Sequence, residues 1–265
     1  MTSTTTRRPL RIALLTIGSI LLALAVALGA AQVVRAATSE DDSGTWTLDG
    51  ALSSVSIDSS TAEVTVEAGA VEAPTLEFVE GDRDVRLERH ESDGDLTVRV
   101  SENRWGPSNW WTGTLDHGRI RLVVPEGSEA IDLDIRTDAG LIDVAGDFGA
   151  VDVRTSAGAI TVAGSAAELS ARSAVGMVRG DGIDVRGAVD LSSEVGEVVF
   201  ATDVAPGSIT ARSDVGALTL RLPEADYDLD LSADLGDTSS DFDSVSGGVP
   251  VEARSSVGAI RVERR

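Results

Sequence analysis

From about Thr45 onward, apolar and polar residues alternate with a period of two, and after residue 44 no stretch takes up the longer apolar spacing of a helix. Val55 with Ile57, Val64 with Val66, Leu76 with Phe78, Val85 with Leu87, Leu96 with Val98 and Val100, and Ile120 with Leu122 are such pairs. Turn-rich stretches such as Glu80-Gly81-Asp82 and Ser92-Asp93-Gly94 separate them, so each pair predicts a short strand. The alternation leaves two arrangements open for residues 45–130: irregular first coils of a stack, or an antiparallel sheet that caps one.

Beyond residue 131 a longer period is added. Gly140, Gly158, Gly176, Gly196, Gly216, Gly236 and Gly258 are separated by 18, 18, 20, 20, 20 and 22 residues. The flanking pattern repeats with them: VDVRTSAGAITV at 151–162, ITARSDVGALTL at 209–220, VEARSSVGAIRV at 251–262. An aliphatic residue stands seven before each glycine, an aliphatic residue or alanine five before, and apolar residues usually follow at two and four after. Each unit therefore predicts two short strands joined at the glycine, which is expected to take a positive φ at the corner where a β-carbon is costly. A unit of this length cannot bury an apolar face alone, but stacked units share one core. The predicted fold is all-β: a parallel β-solenoid of about seven glycine-marked coils, roughly 30 Å long at about 4.8 Å per coil, preceded by an irregular β cap. Its interior is narrow, because Ala171, Ala211 and Ala253 fall on inward positions.

The outward positions carry charge in columns. Arg136, Arg154, Arg172, Arg212 and Arg254 stand four before their glycines; Asp134, Asp152, Asp190, Asp230 and Glu252 stand six before. An arginine column repels itself from coil to coil, and an adjacent carboxylate column offsets the repulsion. These columns read as a solvated face.

The amino terminus departs from this pattern. Ile12 to Val34 carries no charge, and 23 helical residues would reach about 34 Å, enough to cross a bilayer. Arg7, Arg8 and Arg11 precede the run and Glu40, Asp41 and Asp42 follow it, which puts the amino terminus in the cytoplasm and the remainder outside. A signal peptide cleaved after Ala36 is the alternative; the run exceeds the usual length of a signal core, which favours an uncleaved anchor. The expected organisation is a basic tail at 1–11, a membrane anchor at 12–34, an acidic linker at 35–44, strands or cap at 45–130 and repeats at 131–265.

Composition narrows the function. The 265 residues hold 22 basic side chains, all arginine, against 44 acidic ones, a net charge of −22. Such a balance excludes a nucleic-acid groove. It also predicts diffuse, salt-screened attraction of divalent cations. Without cysteine there is no disulfide, thiolate metal site or cysteine nucleophile. Two histidines, His90 and His117, and one tyrosine, Tyr227, supply little acid–base chemistry near neutral pH.

One apolar-terminal run, strands ending in GRIRLVVPEG at 118–127, and repeated units such as RTSAGAITV at 154–162 resemble the bacterial family labelled putative adhesin, a domain of unknown function. The similarity covers roughly Trp46 to Arg265. It implies an extracytoplasmic β-helical domain with no known catalytic residues, and so no cofactor.

Local motifs add candidates. Trp105, Trp110 and Trp111 gather around Gly106-Pro107, a turn between two predicted strands. Two readings stand: a lid folded over the apolar end of the stack, or an aromatic platform for a cell-wall glycan or surface protein. Arg179-Gly180-Asp181-Gly182 reads as a turn insertion rather than a calcium or receptor motif, since the calcium repeat binds between consecutive copies and only one copy is present. The expected function is a non-catalytic, adhesin-like binding module of the cell envelope; the alternative is a glycan-modifying β-helix enzyme, a polysaccharide lyase or hydrolase.

Overall fold

The structure, a computed structural model, describes residues 43–48, 50–81, 85–102, 118–127 and 131–265, all in the compact unit Asp42–Arg265. The expected membrane span at 12–34, the tryptophans Trp105, Trp110 and Trp111, and His117 lie outside the described residues. Among the described residues there is no helix, hence none long and apolar enough to cross a membrane, and the strands join in one 18-stranded sheet.

Among the described residues, six strands precede the glycine-marked units: β1 (Gly44–Thr47), β2 (Ser54–Gly69), β3 (Thr75–Val79), β4 (Val85–Ser92), β5 (Asp95–Glu102) and β6 (Gly118–Pro125). The first half of β2 runs parallel to β5, pairing Ile57 with Val98, and its second half parallel to β6, pairing Ala62 with Gly118. Antiparallel strands complete this end: β4 lies on β5, while β3 lies between β6 and β1. The described strands of this segment thus include both parallel and antiparallel pairings. Trp46, on β1, packs partly buried against the core, and the Arg89 guanidinium of β4 sits 5.5 Å from its ring centroid.

The glycine-marked units follow as β7 (Asp132–Ala139), β8 (Ile142–Ala157), β9 (Ile160–Val175), β10 (Val178–Val185), β11 (Ala188–Val195), β12 (Val198–Ala201), β13 (Ser208–Val215), β14 (Leu218–Leu222), β15 (Tyr227–Leu235), β16 (Thr238–Ser240), β17 (Val249–Val257) and β18 (Ile260–Arg264). Every ladder joining these strands is parallel and pairs equivalent repeat positions: Val153 with Ala171, Leu191 with Ala211, Ala211 with Ala253. The inward residues form one core in which Val153, Leu191, Ala211, Leu220 and Val262 are almost wholly buried. Fully burying each valine or leucine contributes about 1.5–3 kcal/mol. Size is matched across rungs: Phe200 pairs with Gly180, whose added β-carbon would come 3.1 Å from that ring. One of the two residues that lengthen this unit is absorbed where the pairing register shifts between Gly180 and Ile183, with Gly182 at φ 71°, and the other between Val185, opposite Ala166, and Val189, opposite Leu169.

The units do not stack wholly in chain order. β17 pairs with both β13 and β15, and β18 with both β14 and β16, so the unit of Gly258 lies between those of Gly216 and Gly236. Side-chain polarity supplies the reason. Two and four residues after Gly258 stand Ile260 and Val262, both buried; the same positions after Gly236 hold Thr238 and Ser240, both exposed. A unit with polar inward residues is cheapest at the end of the stack, where it needs only one neighbour.

Candidate functional site

Each corner glycine has a positive φ, from 146° at Gly176 and Gly236 to 156° at Gly196. The contacts explain why glycine stands there. A β-carbon on Gly158 or Gly176 would lie 1.8 Å from the carbonyl oxygen of the glycine one unit back, and on Gly196, Gly216 or Gly258 1.9 Å. That carbonyl has a donor too. Ser173 Oγ donates to Gly158 O at 3.1 Å, Ser193 to Gly176 O at 2.8 Å, Ser213 to Gly196 O at 3.0 Å and Ser255 to Gly216 O at 3.2 Å. Thr137 and Thr155 continue the buried hydroxyl column, Thr137 donating instead to Ala139 O at 3.2 Å. The serine three before Gly176, Gly196, Gly216 and Gly258 is thus half of the corner, a role sequence reasoning missed. The available signal was a hydroxyl recurring at a position whose parity faces inward.

The two charge columns interlock. Arg136 pairs with Asp134 at 2.7 Å, Arg154 with Asp152 at 2.6 Å, Arg172 with Asp190, Arg212 with Glu252 at 2.5 Å and Arg254 with Asp230 at 3.2 Å. Several of these bridge neighbouring units and all are substantially exposed, so each contributes about 0–1 kcal/mol. A shallow groove of about 380 Å³ is lined by Arg136, Arg154, Arg172, Ser156, Asp138 and Glu194. Its guanidiniums are already engaged by carboxylates, which leaves no concentration of positive charge for an anion.

A second cavity of about 320 Å³ lies among Asp147, Ser165, Asp184, Arg186 and Val204. Its carboxylates are held locally: Ser165 Oγ donates to Asp147 at 2.7 Å, and the Asp203 amide to Asp184 at 3.1 Å. Tyr227, fully buried, donates its hydroxyl to Pro223 O at 3.0 Å and meets Phe242 edge-on at 5.0 Å. Burial first, and then the negative charge of Glu224, push its hydroxyl above the ordinary tyrosine value. This tyrosine holds the terminal unit in place and faces neither cavity.

A different surface emerges at the corner itself. The residue before each glycine is Val175, Val195, Val215, Val257 or Leu235 in five successive levels of the stack, paired in that order and 44–67% exposed. Pairing skips the position two before the glycine in every unit, and there the chain turns the next side chain outward. Five carboxylates, Glu194, Glu197, Asp214, Asp234 and Asp237, flank the row at two before and one after the glycines, positions that hold no arginine.

No family model matches this chain, and no curated protein matches it. Solved structures do, at low identity. A putative cell adhesion protein from Clostridium sporogenes is 12% identical over 84% of this chain and 99% of its own, with a TM-score of 0.40. A putative adhesin from Bacteroides fragilis is 12% identical over 83% and 95%, with a TM-score of 0.46. A putative adhesin from Parabacteroides merdae is 10% identical over 84% and 95%, with a TM-score of 0.34.

Proposed function

We propose that this chain is a membrane-anchored, extracytoplasmic β-solenoid that serves the bacterial cell envelope as a non-catalytic, adhesin-like binding module. One observation carries the reading: parallel ladders between equivalent repeat positions line identical side-chain types into columns running from unit to unit. A surface that repeats at about 4.8 Å suits recognition of an extended partner, as in other stacked-repeat proteins. The arginines and carboxylates four and six before the glycines are spent on one another, in ion pairs that stiffen that face and point at no common reacting centre. The uncharged run at 12–34, with arginines before and acids after, supports the anchor and its orientation.

The test is expression of the full chain with a C-terminal tag in a bacterial host. Retention in membranes through a high-salt wash, with the tag cleaved by protease added to intact cells, is the expected outcome. Soluble protein beginning near Ala37 would overturn the anchor, and a protected tag would overturn the orientation. The glycan-modifying alternative has its best home in the cavity bearing Asp147 and Asp184. Release of new reducing ends from cell-wall polysaccharide, abolished by Asp147→Asn with Asp184→Asn, would replace the binding reading with that one.

A further inference from the structure

We infer that the aliphatic row Val175, Val195, Val215, Val257 and Leu235 is a docking stripe for a cationic amphipathic helix of a partner protein. This inference rests on the binding reading above and names its surface and the chemistry of its partner.

Single exposed aliphatic side chains are ordinary, but four valines and a leucine in register on consecutive levels are not. They are 54%, 48%, 48%, 44% and 67% exposed in stacking order, and the row spans about 19 Å at about 4.8 Å per level. Folding does not require this row. The same corner position holds Ala139 and Ala157 in the first two glycine-marked units, which close with the same glycine geometry.

The charge around the row sets the partner's sign. Among the described residues, the side chains of Glu194, Glu197, Asp214, Asp234 and Asp237 enter no ion pair, whereas the carboxylates of the column six before the glycines are paired with arginine. An apolar stripe with an uncompensated acidic rim is complementary to aliphatic side chains bordered by lysine or arginine. A second copy of this chain would bring the same acidic rim against itself, and an anionic lipid surface would be repelled alike. Valine and leucine offer a sugar neither a stacking face nor a hydrogen bond.

Spacing selects the helix. The rise of about 4.8 Å per level differs from the about 5.4 Å pitch of an α-helix by a total of about 2.4 Å over four steps, whereas same-face residues of a strand, about 6.7 Å apart, run out by more than 7 Å. A helix with aliphatic residues on one stripe therefore keeps step with the row along its length.

The experiment uses the full chain in nanodiscs of zwitterionic lipid and a synthetic helical peptide of leucine and lysine with its leucines on one stripe. A peptide of the same composition with the stripe scrambled is the comparison, and empty nanodiscs correct for lipid affinity. Expected are binding that weakens with salt, at least tenfold preference over the scrambled peptide, and at least tenfold loss with Val195→Thr plus Val215→Thr. Glu194→Gln plus Asp214→Asn is expected to weaken binding and flatten its salt dependence, while Asp228→Asn plus Asp243→Asn, remote from the row, leaves it unchanged. Equal binding of the scrambled peptide, or equal losses from the rim and remote pairs, would mean diffuse attraction and overturn the inference. Concentration-dependent self-association abolished by the valine substitutions would assign the row to a second copy and also overturn it. Attachment of wild-type protein to cell-wall material is measured in parallel: attachment without stripe-dependent peptide binding refutes only this inference, whereas loss of both refutes the binding reading with it.

Discussion

Replacing Gly196 with alanine tests the account of the corner most directly. Gly196 lies mid-stack at φ 156°, and an added β-carbon would stand 1.9 Å from Gly176 O, 2.6 Å from its carbonyl carbon and 2.9 Å from Ser193 Oγ. Non-bonded carbon and oxygen need more than 3 Å, so the two units must separate by about 1 Å or more. Separation stretches two bonds between these units, the amide bond Gly176 N to Val195 O at 2.9 Å and the Ser193 Oγ bond to Gly176 O at 2.8 Å. Backbone strain of about 1–3 kcal/mol and about 1 kcal/mol for each weakened hydrogen bond add to a loss of about 3–5 kcal/mol. Gly182→Ala is the matched control: its φ of 71° is also left-handed, but no atom lies within 4 Å of the added carbon. It is expected to lose only about 1–2 kcal/mol of backbone strain. Reversible urea unfolding of both variants measures the difference. If Gly196→Ala loses no more than Gly182→Ala, close approach of the preceding carbonyl is not why glycine stands at the corner.

Ser193→Ala leaves the Gly176 carbonyl without its side-chain donor and is expected to lose about 1–2 kcal/mol in the same assay, with Ser193→Thr recovering most of it. Deleting residues 249–265 removes β17 and β18, the only ladder neighbours of β15 and β16 among the described residues; limited proteolysis read by mass spectrometry is expected to cut within 223–248 while 131–200 stays protected. Protection of 227–240 in that truncation would contradict the exchanged order. Tyr227 has a folded-state pKa raised above its unfolded value, so its contribution is complete below about pH 10 and is lost as pH rises through the folded value. Melting temperature should therefore fall more steeply above pH 10 in the wild type than in Tyr227→Phe.

Much of this architecture is legible in the residues because a period of two and a recurring glycine are both backbone signals. Val151 with Val153 and Ile209 with Ala211 face the core because strand parity leaves them no alternative. Charge columns were legible for the same reason, since Arg154 and Asp152 take the opposite parity. Parity fails at the corner. It counts Val195 and Val215 with the inward Ser193 and Ser213, but the chain turns between them, so the exposed stripe is a property of the turn and not of the alternation. Hydroxyls at an inward position signal a buried acceptor, but only the register identifies it as the preceding unit's glycine carbonyl.

Spatial order was harder, because equivalent units compete for the same neighbours and a ladder of identical positions accepts any of them. What breaks the degeneracy is the residue pair after the glycine, Ile260 and Val262 against Thr238 and Ser240. Placing the apolar pair inside buries two aliphatic side chains on both sides, and placing the polar pair outside spares two hydroxyls from desolvation. The same exchange decides what the open edge displays. β15, the last strand of its ladder, alternates half-buried Leu229, Leu231 and Ala233 with Asp228, Asp230 and Asp234. Carboxylates along a strand whose outer edge is bridged only near Tyr227, to Ser244, repel a second such edge and oppose continued growth of the stack. At the opposite end antiparallel β3 and β4 interrupt the parallel register instead, since a further parallel unit cannot continue a ladder whose direction has reversed. The repeat therefore stops by charge at one end and by strand direction at the other. Both solutions lie in the segments where the glycine-marked pattern is weakest, which is why a reading built on that pattern finds the units before it finds their limits.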